Sequence, residues 1–208
     1  MVEGTSSKVY NLARGGATTD NFIVEGSKGK SVVDQLKLWS DVFNLPADEA
    51  IWKPDDSLFI FFVGLNDINF RVILQRKAFA PILPLLLDRR AMIMRALYAA
   101  GARNFLLVGL PPAERTPFIR VRDKKIYAEI NESLHSYSDS LQDQIVSLRE
   151  QMPEAGINFM STRPFFTTVR VPQKSVINPH THVRHAYRLP TTPYDMASPI
   201  MSRMLLPR

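Results

Sequence analysis

Two short stretches pair residues able to do chemistry with a place suited to it. "GLND" at residues 64–67 follows the apolar run "LFIFFV", and "GGATTDN" at 15–21 follows "VYNLA". Both runs read as strands. In open α/β sheets ligands bind beyond the carboxyl ends of parallel strands, so two such exits would meet at one edge. A glycine there lets a backbone N–H come close to a ligand, and an asparagine brings a side-chain amide. Two donors aimed at one point are what a developing oxyanion needs in acyl transfer, and losing one typically costs about 10²–10³ in rate. Gly16 and Asn66 are therefore the candidate binding residues. Gly, Asn and Asp also turn chains, and for either stretch taken alone turning is reason enough.

Two other motifs carry less. "GKS" at 29–31 suggests a phosphate loop, but the pattern needs a glycine at the position held by Val24. Its serine is better placed to cap a helix. "HTHVRH" brings His180, His182 and His185 together, with no carboxylate or further ligand beside them. In a proline-rich basic stretch such a cluster reads as structural accident rather than as a metal site. No metal and no cofactor is expected.

The elements around these residues follow from periodicity and punctuation. Val32, Leu36, Trp39 and Phe43 recur at helical spacing behind Ser31, which predicts a capped helix over 31–43. Residues 58–63 follow the turn cluster "KPDDS" and have the length of a buried strand. Residues 84–100 predict a helix closed by Gly101. "NFLLVGL" at 104–110 is the next buried strand, stopped by Pro111 and Pro112. Tyr127, Ile130, Leu134, Tyr137, Leu141, Ile145 and Leu148 trace one helical stripe that Pro153 ends, and "INFM" at 157–160 is a further strand. Strands alternating with helices predict parallel pairing with helices on both faces.

The chain has 208 residues, one ordinary domain's worth. Its net charge of +6 hints at nucleic acid until it is divided. Residues 1–160 hold 19 Lys/Arg and 19 Asp/Glu, so the whole excess lies in 161–208, with seven of the 15 prolines and three of the four histidines. That division predicts a neutral folded body at 1–160 and a basic, proline-rich, poorly structured tail at 161–208, with at most short turns or extended pieces. A nucleic-acid reader more often carries its basic residues on a folded face, so no nucleic-acid partner is expected. Binding to an anionic surface through the tail is the weakest of the readings. No apolar run approaches a membrane span, no signal peptide is visible at the start, and no membrane partner is expected. There are no cysteines.

"NLARGGATTDN", "LFIFFVGLNDIN" and "LYAAGARNFLLVGLPPAERTP" resemble, in order and spacing, successive signatures of the GDSL-type esterases, or SGNH hydrolases. The branch most similar includes the acetylesterases of carbohydrate esterase family 16, and the likeness covers about residues 9–160. The resemblance implies a three-layer α/β/α sandwich with a parallel sheet, flavodoxin-like in order. It implies that Gly16 and Asn66 are the two donors that join the nucleophile's own N–H in the oxyanion hole, while Asp67 braces the loop. The substrate class it implies is a small acyl ester, acetylated carbohydrate included.

The departures from the family pattern are as informative. Its nucleophile is the serine of a Gly-Asp-Ser motif on a strand upstream of the Gly16 block, and no such motif precedes Gly15. Neither Ser6 nor Ser7 can take the role. No Asp stands three residues before a His, so His180, His182 and His185 cannot be assigned as base. The expectation is a hydrolase by descent that keeps the oxyanion half of the site and is inactive in this form, as a chain shortened at both catalytic ends would be. The rival class is a non-catalytic binding or interaction protein. With the first strand absent, residues 9–13 are expected to slide over and pair with 58–63 in preference to the tail donating a strand.

Overall fold

The computed structural model describes residues 7–26, 31–45 and 51–168. Three parallel strands, β1 (Leu58–Phe61), β2 (Asn104–Val108) and β3 (Gly156–Met160), form one sheet in the order β1-β2-β3. The main helices are α1 (Val32–Phe43), α3 (Leu83–Ala99) and α5 (Lys124–Gln151). Shorter ones are α2 (Leu65–Asn69), which runs on into a π-helical turn at Phe70–Leu74, α4 (Pro117–Arg120) and α6 (Arg163–Thr168). This is a mixed α/β fold built on a small parallel sheet.

Local signals account for the helix ends. Ser31 caps α1 in a reciprocal box: its hydroxyl accepts from Asp34 N–H at 3.2 Å, and the Asp34 carboxylate accepts from Ser31 N–H at 2.8 Å. At the other end of α3, Gly101 adopts φ 105°. Gly101 N–H then bonds Tyr98 O and Ala102 N–H bonds Leu97 O, which satisfies two carbonyls of the last turn. The stripe along α5 is buried from Ile126 to Leu148, as its spacing requires.

The strand register sorts side chains into two sets. Phe59 pairs with Phe105 and Phe105 with Ile157, while Phe61, Leu107 and Phe159 make the next row on the same face. Phe105, Leu107 and Ile157 are buried. Both crossovers move along the sheet in the same direction. A right-handed connection therefore lays α3 and α5 against the same face. Helix α1 joins them there, through Trp39 edge-on to Phe59 at 5.7 Å.

Several expectations change here. Residues 9–13 form no strand: Val9 and Tyr10 are exposed, Tyr10 packs edge-on to Phe43 at 4.9 Å, and only Leu12 leans on the core. Nor has this segment slid over to β1, whose single ladder partner among the described residues is β2. An apolar run becomes a strand only where a neighbour offers a ladder, so pattern alone misleads. The strand expected to be buried at 58–63 is shorter and half-covered, with Leu58 54% and Ile60 61% exposed. Helices were expected on both faces, but among the described residues the three long ones lie on one. Past Met160 the chain still packs, with Thr162 Oγ1 donating to Gly109 O at 3.0 Å and α6 following where only turns were expected. His180, His182 and His185 and most of the basic tail lie outside the described residues, as do Gly29 and Lys30 of "GKS".

Candidate functional site

Where β1 ends, the chain turns sharply into α2 through Gly64. Its φ of 123° suits glycine, and the Tyr137 ring of α5 occupies the space that a Cβ would need. Tyr137 also holds the turn by hydrogen bonds. Its hydroxyl donates to Val63 O at 2.8 Å and accepts from Arg90 Nη1 at 2.7 Å. Arg90, itself buried, is steadied by Gln144, whose Oε1 accepts from Nε at 2.9 Å. The buried surroundings push the Tyr137 phenol above its usual range, against the opposing pull of Arg90.

The first two polar residues of α2 both reach the 15–21 loop. Asn66 Nδ2 donates to Ala17 O at 2.9 Å. The buried Asp67 carboxylate accepts from Thr19 N–H at 2.9 and 3.1 Å and from the Thr19 hydroxyl at 3.2 Å. The loop is tied at its other side too, since Thr18 O accepts from Val32 N–H at the start of α1, at 2.9 Å. Arg89 Nε lies 2.9 Å from Asp20 Oδ2, an ion pair whose angle does not make a hydrogen bond. Gly16, buried at φ 80°, stands directly before the carbonyl that Asn66 holds.

The two predicted residues are thus on adjoining turns. Gly16 N–H donates to no acceptor among the described residues, and one Asn66 side-chain N–H is left over after the bond to Ala17 O. Asp67 does brace the loop. Desolvation raises its pKa to about 7, although the Thr19 backbone and hydroxyl bonds and the Arg90 charge pull the other way. Arg90, Tyr137 and Thr19 escaped the sequence reading. Tyr137 was visible only as one member of the α5 stripe, and nothing local separates Arg90 from the exposed-looking pair "RR".

The chemistry is incomplete among the described residues. Ser31 serves as a helix cap, and Ser133 and Ser138 donate to carbonyls of their own helix. His135 is exposed on α5, with Nδ1 2.7 Å from Asn131 O. No serine is hydrogen-bonded to a histidine, and no group of three metal-ligating side chains comes together, among those residues.

A family model described as GDSL-like lipase/acylhydrolase matches residues 2–186. The chain belongs to the GDSL-like lipase/acylhydrolase family. An acetylesterase of Thermothelomyces thermophilus is 29% identical to it over 160 residues, 72% of this chain and 52% of the relative. The chain therefore spans about half the length of that curated relative. A hydrolase family of this kind fits the small parallel sheet. The membership puts ester hydrolysis in the chain's descent; no helix among the described residues is long and apolar enough to cross a membrane.

Proposed function

We propose that Gly16 and Asn66 are the oxyanion-binding donors of an ester site for small acyl esters, acetyl groups on carbohydrate in particular. The observation that carries this reading is the double tie between α2 and the loop. Asn66 to Ala17 and Asp67 to Thr19 tie the Asn66 amide to the loop that carries Gly16, on rigid supports. Preorganised donors of this kind cost no rearrangement when charge develops on the carbonyl oxygen. The similarity to an acetylesterase supports the acetyl ester as the acyl class. The domain carrying the site is read as residues 1–160, on the branch of carbohydrate esterase family 16, with 161–208 as a basic tail.

In this form the site is proposed to bind without turning over, since neither a Gly-Asp-Ser serine nor an Asp-x-x-His pair occurs in the sequence. Binding an acetylated oligosaccharide should shift the NMR resonances of the Gly16 amide and the Asn66 side chain, and Asn66→Ala should abolish the response. Absence of any shift at both positions, with the wild-type chain folded, overturns the assignment. Incubating the 208-residue chain with a chromogenic acetyl ester separates the two classes. Background rates fit the non-catalytic binder, while turnover at enzyme rates that is lost in Asn66→Ala restores the enzyme.

A further inference from the structure

The neutral balance of residues 1–160 hides a local concentration of charge. Arg120, Arg122, Lys124 and Tyr127 line a shallow cavity of about 380 Å³ where the β2 exit leads into α5. None of the three cations has a carboxylate within ion-pair distance among the described residues. The nearest acid in sequence, Asp123, is already engaged. It caps α5 by accepting from Ile126 N–H at 2.9 Å and lies 3.8 Å from Arg76 Nη1. A solvated basic face usually leaves its head groups free in water. Arg122 differs, because its guanidinium stacks over Phe118 at 4.3 Å and its Nε is buried without an acceptor.

We propose that this cavity is a binding site for an oxyanion group, a carboxylate or a phosphate. A guanidinium held over an aromatic ring is restrained in place, and its planar N–H fork matches two oxygens of such a group. Arg120 and Lys124 add charge from either side, and Tyr127 supplies a ring wall. Like charges this close repel one another, and an anion between them removes that repulsion as it satisfies the donors. Helix α5 meets the turn at Gly64 through Tyr137, so the cavity at its first turn stands about 15–20 Å further along the helix axis. Joined to the ester-site reading, on which this extension alone rests, the cavity would hold an acidic group on a distant unit of an esterified oligosaccharide.

The test titrates the full 208-residue chain with three probes at matched ionic strength, followed by NMR and calorimetry. They are inorganic phosphate, a uronic-acid trisaccharide and a neutral trisaccharide. Saturable binding of either anion should perturb residues 118–127, weaken as salt rises, and fall about tenfold or more in Arg122→Gln. Arg120→Gln, on an exposed side chain, serves as a second variant if the first fails to fold. Phosphate binding as tightly as the trisaccharide identifies a free anion as the ligand; a tighter trisaccharide identifies an acidic sugar. Either result supports the site. Equal affinity for the neutral sugar, no saturable binding of either anion, or affinity unchanged within about twofold in the folded variants overturns it. Asn66→Ala should leave anion affinity intact, so failure of the ester reading and failure of the anion site are separate results.

Discussion

On one face of the sheet, Phe59, Phe105 and Ile157 stand in a row beneath three helices. On the other, apolar Leu58, Ile60, Leu106, Val108 and Met160 alternate with Asn104, Gly156 and Asn158, and Ile60 is 61% and Met160 46% exposed. Composition separates the two faces only in part. The handedness of the crossovers does the rest, because two right-handed connections running the same way place both helices on one side. Parallel sheets are usually covered on both faces, yet the apolar residues of the second face have no covering layer among the described residues. The covered side also carries polar groups, Arg90, Tyr137 and Asp67, each held by a partner.

Substitutions on the two faces should therefore differ sharply. Phe105→Ala, at the centre of the covered row, should lower stability by about 3–5 kcal/mol through lost burial and a cavity. The midpoint of urea unfolding measures it, and a loss below about 1 kcal/mol would mean that this row is not the core.

The polar edge of the covered side should respond to pH. Burial holds the Asp67 carboxyl at about 7, whereas in the unfolded chain it ionises near its ordinary value of 3.8. The folded state thus keeps a proton that the unfolded state has released. The stability this contributes is fully present below pH 4 and is lost as pH rises through about 7. Its size is on the order of a few kcal/mol, at about 1.4 kcal/mol per pH unit between the two values. Asp67→Asn keeps an acceptor for Thr19 N–H and should flatten that part of the stability profile. Wild-type stability that climbs between pH 4 and 7 because of this residue would contradict the assignment.

A smaller effect is expected from Tyr137→Phe, which preserves the ring under Gly64 and deletes the hydroxyl shared by Val63 O and Arg90. Leaving two buried groups short of a partner should cost about 1–3 kcal/mol, read from the shift in thermal midpoint. Least of all should follow from Ile60→Thr on the open face, within about 0.5 kcal/mol. A loss above about 2 kcal/mol there would show that something covers this face in solution, and the contrast between the faces would fall.

Much of the fold was legible locally. The cap at Ser31, the stop at Gly101 and the stripe along α5 each depend on residues within a few positions of one another, and all are realised. The candidate site was legible as residue types at two strand exits, but only one of those exits follows a strand. Residues 9–13 share the apolar pattern of 58–61, and no ladder reaches them. What ties the Gly16 loop in place is the pair of bonds from Asn66 and Asp67, made across 48 and 49 residues of chain. No spacing rule announces such bonds.

Arg89 and Arg90 mark where local information ends. By sequence they are the same residue twice. On α3 a step of about 100° turns one toward Asp20 and the other into the buried space beside Tyr137. The amino-acid sequence by itself determined the three long helices, the three apolar strands and the residue types at the turns, because caps, periodicity and turn chemistry act over short range. Only the tertiary structure decided which arginine is buried, which sheet face is covered and which cations share a cavity. Those outcomes depend on groups brought together from distant parts of the chain by the crossovers, and desolvation then sets the state of each.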